Sequence, residues 1–492
     1  MACQNSRAPG TWHVLLDEAE LSISFAFRRQ EFFSLLIFGG VLIVLLIAAG
    51  HYAVDSDIWW HLKTGEWILQ HGQIPRLDPF SEGGAGRIWV NCNWLVDVTF
   101  YLLYKISGGY SGIIFYTVVM SSLIYIALCS LIKDQSISPL AIHLISGVVV
   151  VGLLPMLTPR PWLITFLLYL CVLKLVLKYR ESKNNRLLFL LPPLFCLWAN
   201  IHIQFLNGLL LLGIFALEAI MPKRRATLLP AILTVCACAV ATLLNPFGNR
   251  LYSLIPVLND PVYMAQILEL HAPDFSSGYY WTFPILAIMA GGLLIRQRKH
   301  LEGFFLPLLS LAGLILAFRT QRDIWLALFP LAALIASLLP KHDNSTSPAL
   351  NLKHSALVLG ILVAFLTIFT PPISVGDISK HFQVGAVEFL KQQKLKGPIY
   401  NTYDWGGYLI WSLPEYPVSM DNRNIIYGPK TFLQSLKTWR GQGDWQQDPT
   451  LRRSNIVIGP PQLPLSHFLR SDPNFERIYS DKIAEVYRRI RP

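Results

Sequence analysis

Long apolar runs recur along most of this chain and constrain its fold more than any other feature. About 20 consecutive apolar residues form a helix that spans the hydrocarbon core of a bilayer. Candidate runs lie at 32–49, 94–106, 111–132, 138–157, 161–177, 187–199, 204–221, 226–244, 279–295, 303–318, 323–339 and 355–371. Only 14% of the residues are charged, well below the roughly 25% usual in soluble domains. The sequence therefore predicts a polytopic α-helical membrane protein with about 11–13 transmembrane helices.

The character of the chain changes near residue 373, after which it is mixed, polar and free of long apolar runs. We expect a transmembrane domain at 1–372 and a soluble α/β domain at 373–492. Within the second domain, Val384–Gln392 has the spacing of an amphipathic helix, and "DWGGYLIW" (404–411) is typical of a tight turn into a helix. Short strands are predicted at 398–403, 416–421, 455–459 and 477–490.

Clusters of lysine and arginine set the predicted orientation, because short cytoplasmic loops are enriched in these residues. The clusters lie at 28–29, 178–186, 223–225 and 296–299. Placing them inside puts the first loop, 51–93, and the C-terminal domain on the extracytoplasmic side of the plasma (inner) membrane. Five crossings before residue 178 would break this alternation. Either one segment is therefore expected to be re-entrant, or two short segments pair without spanning, and the candidates are 94–106 and the proline-bounded stretch "LLPMLTPRPW" (153–162).

The net charge of +11 is explained by this loop bias and by anionic lipids. Long basic tracts are absent from the sequence, so nucleic acid is not an expected partner. The seven cysteines have no paired metal-binding spacing, and none lies in the C-terminal domain. Neither disulfides nor structural zinc are expected.

The stretch "DSDIWWHLKTGEWILQ" (55–70) places two carboxylates where the first apolar run has just ended. In a helix over 57–70, Asp57 and His61 share one face, while Trp60, Thr64 and Trp67 form a second stripe. Such a helix is predicted to lie on the outer membrane surface with its tryptophans among the headgroups. An aromatic belt explains the tryptophans but not the acids. A carboxylate at this depth suits a general base or an oxygen ligand for a divalent metal.

These residues resemble the GT-C superfamily of integral-membrane glycosyltransferases, in which an Asp-containing first outer loop is followed by a surface helix. The resemblance extends along the chain in short patches. They are "DSDIWWHLKTGEWILQHGQIPRLDPFS", "WVNCNWLVDVTFYLLYKISGG", "TPRPWLITFLL", "LWANIHIQFLNG", "LLNPFGNRLY" and "NTYDWGGYLIWSLPEYPVSMDNR". The family includes protein mannosyltransferases, aminoarabinose transferases and oligosaccharyltransferases.

The resemblance implies that a sugar, hexosyl or pentosyl, is transferred from a polyprenyl-phosphate donor to an acceptor that is a protein, lipid or glycan. It also implies that the first-loop acid is the catalytic base or a metal ligand. Asp57 matches this role better than Asp55, because aromatic residues follow it closely. The family's Asp-Glu pair is missing, since Ile58 follows Asp57. Asp55-Ser56-Asp57 also resembles a metal-binding DxD pair, so Mg²⁺ or Mn²⁺ at Asp55 and Asp57 is left open.

Other candidates lie in loops assigned to the outer side. Arg319 and Arg322 are predicted to hold the lipid phosphate, because guanidinium groups bind phosphate oxygens well. Arg160 in "TPRPW" is a weaker candidate. Further candidates for substrate contact are His61, His202, Glu269, His271 and Arg423, each of which also has a purely structural interpretation.

Two other functions are compatible with a membrane protein of this composition. A transporter or flippase of lipid-linked sugars would be expected to show internal repeats or broken helices at mid-membrane, and neither is evident. A polymerase or ligase of surface polysaccharide would depend more on outer-loop Arg and His than on Asp55 and Asp57. Transfer of labelled sugar by aspartate variants separates these functions.

Overall fold

The computed structural model describes residues 39–41, 43, 55–135, 137–297, 303–341, 378–393 and 395–490. The predicted first crossing at 32–49 lies mostly outside these residues. The last crossing at 355–371 and the domain boundary after residue 372 lie wholly outside them. The first crossing, the last crossing and the domain boundary therefore stay predictions.

Apolar helices make up most of the chain before residue 342. Among the residues that the structure describes, six are long enough to cross a membrane, at Ser111–Lys133, Pro139–Met156, Trp162–Ser182, Arg224–Ala241, Gly278–Gln297 and Gln321–Leu338, and three are shorter, at Asn185–Ala199, Phe205–Glu218 and Phe305–Arg319. The α-helices are α1 (Ile58–His71), α2 (Trp94–Ile106), α3 (Ser111–Lys133), α4 (Pro139–Leu153), α5 (Trp162–Ser182), α6 (Leu191–Ala199), α7 (Phe205–Glu218), α8 (Leu228–Ala241), α9 (Leu254–Leu258), α10 (Pro261–Gln266), α11 (Thr282–Gln297), α12 (Phe305–Arg319) and α13 (Trp325–Leu338). The predicted multi-pass helical architecture is confirmed.

Helix α2 is the shorter of the two early segments in question, because residues 154–156 end a helix of spanning length at Pro139–Met156. It has 13 residues, about 20 Å at 1.5 Å per residue, against a hydrocarbon core of about 30 Å. It packs along α1, where a Cβ on Gly65 would lie 2.1 Å from the carbonyl oxygen of Asp97. With 94–106 removed from the crossings, the predicted alternation places every basic cluster on one side.

The sequence pattern predicted that helix α1 lies exposed on the membrane surface. In the structure it is instead covered by other parts of the protein. Trp59 and Trp60 are buried, and α1 packs against α2 and against a helix of the C-terminal region. The amphipathic pattern therefore reflects burial within protein. A hydrophobic stripe in the sequence does not distinguish lipid from a neighbouring helix.

Helix α13 forms the centre of the membrane part and supports the loop that precedes it. Most of its side chains are buried, and it packs against α4, α11 and α12. Its first residue, Trp325, meets Phe166 and Tyr169 of α5 at ring-centroid distances of 5.1 and 5.0 Å. The short 3₁₀ helix Gln321–Asp323 is thus held against the core.

The C-terminal region is a small α/β unit. Its helices are α14 (Ile378–His381), α15 (Val384–Gln392), α16 (Gly406–Ser412), α17 (Asn424–Trp439), α18 (Pro449–Arg453) and α19 (Pro464–Ser471), and its strands are β1 (Ile399–Asn401), β2 (Ile456–Gly459), β3 (Phe475–Ser480) and β4 (Glu485–Arg489). The strand order is β1-β2-β4-β3, with β1 and β2 parallel and the other pairs antiparallel. The predicted helix at Val384–Gln392 is confirmed, as are three of the four strand segments. Residues 416–421 form only isolated bridges, one of which joins Val418 to Ser81 of the first loop.

A buried ion-pair network joins the first loop to the C-terminal region. Arg423 Nη1 lies 2.9 Å from Asp78 Oδ1, and its Nη2 donates to Asp421 Oδ2 at 2.6 Å. The hydroxyl of Tyr427 donates to the same Asp421 oxygen at 2.8 Å. Breaking a buried pair leaves an uncompensated charge and costs about 3–5 kcal/mol. The two parts of the chain are therefore fastened together beside the candidate site.

Candidate active site

Arg160 is the centre of the site, between two prolines in "TPRPW". Its Nε donates to Asp55 Oδ2 at 2.7 Å, and its Nη1 donates to Glu269 Oε2 at 2.8 Å. The same Nη1 lies 3.2 Å from Asp57 Oδ2. Proline restricts its own φ and the conformation of the residue before it, so this backbone segment is stiff. One guanidinium thus gathers three carboxylates from two distant loops.

The two first-loop aspartates differ in how many of their carboxylate oxygens have a hydrogen-bond or ion-pair partner. Asp55 Oδ1 accepts from the backbone N–H of Asp57 at 2.8 Å and its Oδ2 from Arg160, so both oxygens have partners. Asp57 Oδ1 is buried and makes no hydrogen bond of standard geometry with the residues that the structure describes, and the Trp60 side chain is the neighbour close enough to act as a weak donor to this carboxyl group. A buried unpaired polar atom is costly. Of the two acids, Asp57 alone has an oxygen left for an incoming group.

The pKa values of Asp57 and Glu269 are shifted in opposite directions. Burial raises the pKa of Asp57 to about 7, a rise that Arg160 opposes and that Asp55 and Glu269 reinforce. Burial also acts to raise the pKa of Glu269, but Arg160 and Arg322 together hold it below its ordinary value. Neighbouring carboxyls with separated pKa values can take separate acid–base roles. Asp57 is poised near neutral pH, and Glu269 stays ionised.

Arg322 is the second cation of the site and is only loosely held. Its Nη1 lies 3.5 Å from Glu269 Oε1, and its Nε is buried without a partner among the described residues. The Trp162 ring lies 4.7 Å from the Arg160 guanidinium and 6.0 Å from that of Arg322. Trp162 is itself fixed, because its indole N–H donates to the Met156 carbonyl at 2.7 Å. Arg322 therefore retains donors for an anion.

Gln321 holds the Arg322 segment against the Glu269 segment. Its backbone N–H donates to the His271 carbonyl at 2.8 Å. Its side-chain amide donates to the Leu268 carbonyl and accepts from the Tyr280 hydroxyl. These contacts place two short 3₁₀ helices, Leu268–Leu270 and Gln321–Asp323, side by side.

Two cavities meet at this cluster. The first has a volume of about 410 Å³ and is walled by the first loop, by membrane-part loops and by residues 403–404 and 422–425 of the C-terminal region. The second is smaller, about 190 Å³, and is lined by Asp55 together with apolar residues of α4 and the following turn. Arg160, Glu269 and Arg322 line both cavities. The ion-pair cluster is the wall between them.

Unpaired polar atoms concentrate around the larger cavity. Besides Asp57 Oδ1 and Arg322 Nε, the side-chain oxygens of Asn422 and Asn424 are buried without a hydrogen-bond partner among the described residues. Native proteins seldom leave such groups unsatisfied. The cavity is therefore suited to a ligand that both donates and accepts hydrogen bonds.

His61 lines the cavity but is committed to a neighbour. Its Nδ1 lies 2.5 Å from Asp97 Oδ1, and the other Asp97 oxygen accepts from Asn91 Nδ2 at 2.7 Å. The imidazole also stacks on Trp60 at 3.6 Å between ring centroids. His61 therefore serves to position Trp60, and the acid inside the apolar run 94–106 was the sequence signal for its partner.

His202 presents one nitrogen to the cavity. The Trp198 indole N–H donates to Thr165 Oγ1 at 2.9 Å, and Thr165 Oγ1 lies 3.0 Å from His202 Nδ1. Since a threonine hydroxyl has one proton and two acceptor lone pairs, Thr165 can accept from Trp198 and still either donate to Nδ1 or accept from it. Burial, aided by Arg322, lowers the pKa of His202 and keeps it neutral. A neutral imidazole has one N–H and one bare nitrogen, so the nitrogen that does not face Thr165 is a donor in one tautomer and an acceptor in the other.

Three predicted residues do not serve the site directly. Arg319 is exposed and donates to Asn259 Oδ1 at 2.7 Å, and the exposed side chain of His271 does not line either cavity. Arg423 does line the larger cavity, but its charge is balanced by Asp78 and Asp421. Its contacts are those of a structural ion pair.

The structure brings in residues that the sequence motifs ranked low or left out. Arg160 was a weaker candidate, and Trp162, Tyr403, Asp404 and Asn422 were not selected. Three of these lie in the C-terminal region, more than 300 positions from Asp57. The available signals were the proline-flanked arginine of "TPRPW" and the aromatic "YDWGGY".

A divalent cation does not fit between the aspartates as they stand. One oxygen of each aspartate, Oδ2 of Asp55 and Oδ2 of Asp57, faces the positively charged Arg160. Among the described residues, no group of three or more His, Cys, Asp or Glu side chains is arranged to hold a metal. A cation there would have to displace the guanidinium.

Comparison with solved structures places this architecture. The chain matches the oligosaccharyltransferase of Archaeoglobus fulgidus tethered with an acceptor peptide containing the NVT sequon, with a TM-score of 0.54 and 8% identity, over 86% of this chain and 68% of that chain. The apo form gives a TM-score of 0.52 and 8% identity, over 86% and 69%. The arabinofuranosyltransferase AftD from Mycobacteria gives 0.55 and 13% identity, over 92% of this chain and 40% of that chain.

The chain therefore shares its fold with this oligosaccharyltransferase and this arabinofuranosyltransferase, in agreement with the membrane fold that the sequence resemblance implied. At such low identity the likeness is one of fold. No family model and no curated protein sequence matches the chain. Its chemistry must therefore be argued from its own residues.

Proposed function

We propose that this protein is a membrane glycosyltransferase that moves a sugar from a polyprenyl-phosphate donor to an acceptor. The observation that carries the proposal is the unpaired, buried Asp57 Oδ1, which faces a cavity that also contains Arg160 and Arg322. A base, cations for a departing phosphate and room for an acceptor lie together. Glycosyl transfer from a phosphate-linked sugar needs these elements.

The reaction follows from this placement. An acceptor hydroxyl in the larger cavity attacks C1 of the donor sugar with inversion, forming the new C1–O bond and breaking the bond from C1 to the phosphate oxygen. Asp57 takes the hydroxyl proton, and the phosphate leaves with the electron pair of the broken bond. Donors fixed in place before charge develops stabilise it without reorganisation. Arg322, with its unpaired Nε, and Arg160 fill that role.

The smaller cavity supports a separate route for the donor. Gly152, Pro155, Met156 and Ile324 give it apolar walls, and it reaches the cluster from the side of α4. A lipid chain requires such walls, whereas the polar cavity suits the acceptor. Since Arg160 and Arg322 line both spaces, a phosphate held there would place the sugar beside Asp57.

The site is proposed to face the extracytoplasmic side of the plasma (inner) membrane, with the C-terminal region above it. Arg160 precedes α5, and the basic residues 178–186 follow that helix at its other end. The cavity loops therefore lie opposite the basic loops. Lysine and arginine favour the cytoplasmic side, which leaves the cavity outside.

The test follows labelled sugar from a membrane lipid extract into acceptors of the same membranes. Asp57→Asn is expected to lose about 10²–10⁴-fold in rate, the usual contribution of a general base. The matched control is Asp274→Asn in the loop after Glu269, because the Asp274 carboxylate hydrogen-bonds only to Ser276 among the described residues. Asp57→Asn at the control's rate would refute the proposed role. A second pair of variants tests the cation. Arg322→Gln should lower the transfer rate, whereas the control Arg319→Gln should leave it unchanged.

The alternatives predict other outcomes of the same assay. Movement of the lipid-linked sugar across the bilayer without transfer by wild type would indicate a transporter. Lengthening of a glycan that is insensitive to both first-loop aspartates would indicate a polysaccharide polymerase or ligase.

A further inference from the structure

We propose that Arg160 takes the place of a divalent cation between the first-loop aspartates, so that the site works without a metal. For the transfer reaction, this inference rests on the proposed function. As a statement about cation binding, it stands on the contacts of Arg160 alone. In this proposal, the positive partner of the Asp55-Ser56-Asp57 pattern is Arg160 of the same chain and not a metal ion.

The contacts of Arg160 are those expected of such a replacement. Asp55, Asp57 and Glu269 each turn one oxygen toward its guanidinium, at 2.7, 3.2 and 2.8 Å. Carboxylates from separate segments that converge on a single positive centre form the usual surroundings of a bound cation. Here the positive centre is supplied by the stiff segment between Pro159 and Pro161.

The charge at the site is consistent with the replacement. A divalent ion would bring two positive charges, and the guanidiniums of Arg160 and Arg322 bring the same number. Both contact Glu269, which ties them into one unit. Arginine stays protonated at any physiological pH, so this positive charge depends neither on metal supply nor on pH.

Arg160 also keeps a donor for a ligand. Its Nε and Nη1 serve the carboxylates, while its Nη2 makes no hydrogen bond to any residue that the structure describes. A bound metal likewise uses some of its coordination positions on protein and leaves others for phosphate. The fork of a guanidinium can hold a phosphate oxygen in the same way.

The test measures Mn²⁺ binding by electron paramagnetic resonance on the full-length protein in lipid nanodiscs. Wild type and Arg160→Lys, which retains a positive charge, are expected to bind no Mn²⁺ at the site. Arg160→Ala is expected to gain Mn²⁺ binding and a Mn²⁺-dependent rise in melting temperature, and adding Asp55→Asn should abolish both. If the alanine variant is not recovered folded, Arg160→Gln replaces it, since the stem is retained and the charge is lost.

Two results would overturn the inference. One is Mn²⁺ binding by wild type that Asp57→Asn removes. The other is a folded Arg160→Ala or Arg160→Gln variant that gains no Mn²⁺ binding. Neither readout depends on sugar transfer, so failure here is distinct from failure of the proposed function. Where transfer is observed, chelation by EDTA should leave the wild-type rate unchanged.

Discussion

Asn422 Nδ2 lies 3.2 Å from Ser56 Oγ, so a residue of the C-terminal region contacts the residue between the two first-loop aspartates. Both residues line the larger cavity. The contact joins positions 366 residues apart. The C-terminal region is therefore part of the wall that holds Asp57 in place.

The double glycine of "DWGGYLIW" makes this contact possible, and its substitution is the first prediction. A Cβ on Gly407 would lie 2.8 Å from the backbone carbonyl oxygen of Ser56. Gly407→Ala should push α16 away from the aspartate segment and lower both the melting temperature and the transfer rate. The control is Gly213→Ala, because a Cβ there meets nothing within 4 Å and alanine favours a helix by about 0.5–1 kcal/mol. Equal melting temperatures for the two variants would contradict the prediction.

The second prediction concerns the pH dependence of transfer. Since the pKa of Asp57 is raised to about 7, the base is protonated in acid and ionised in alkali. The second-order rate constant for the acceptor should therefore fall tenfold per pH unit below pH about 7 and level off above it. Asp57→Asn should remove this acid limb from the residual rate, whereas Asp55→Asn should retain an acid limb. A flat wild-type profile between pH 5 and 8 would exclude Asp57 as the base.

The third prediction concerns the stability of the folded protein, which should fall as pH rises, whereas the transfer rate of the second prediction should increase. The ordinary pKa of Asp57 is 3.8, and that of the folded protein is about 7. Between these values the folded chain keeps a proton that the unfolded chain has released, so wild-type stability falls as pH rises through this window. Asp57→Asn has no carboxyl group at this position and so lacks this loss. The free energy of unfolding of the variant, relative to that of wild type, should therefore be about 2–4 kcal/mol higher at pH 8 than at pH 4. Melting temperatures at both pH values check it, and a gain that is independent of pH would disprove the linkage.

The fourth prediction concerns Trp162, whose ring lies near both guanidiniums. Cation–π contacts are worth about 0.5–2 kcal/mol each. Trp162→Ala should reduce transfer roughly 10-fold or more, through loss of position of Arg160 and Arg322, while Trp162→Phe keeps a ring and most of the rate. Mn²⁺ binding should stay absent in both variants. Identical rates for the two variants would show that the ring has no such role.

Local patterns in the sequence were sufficient for the helices and for the acid cluster. The apolar runs predicted the helices because length and hydropathy are properties of a single segment. The segment carrying Asp55 and Asp57 was found because two acids beside tryptophans conflict with a simple surface helix. The strands after residue 398 were also visible in short runs such as "NIVIG", which forms β2.

What was missed depends on contacts between distant segments. Helix α1 was expected at the lipid surface, because its stripe of Trp60 and Thr64 does not show that α2 and α16 cover it. Arg160 was ranked low, since an arginine near a helix end often reaches only the interface. Asn422 and Asp404 were overlooked although both lie in quoted motifs, because a motif does not show which of its side chains points toward Asp57. The sequence does not distinguish the roles of Asp55 and Asp57. The structure does, because it shows which of their carboxylate oxygens already have partners.

The network of Asp78, Asp421 and Arg423 has a consequence for biosynthesis. The wall of the larger cavity is finished only when residues 403–425 have been synthesised and have docked on the loop made near the start of translation. A nascent chain already inserted in the bilayer would hold Asp57 in an open, water-filled cleft. The cavity would thus be closed only after residues 403–425 have left the ribosome and docked.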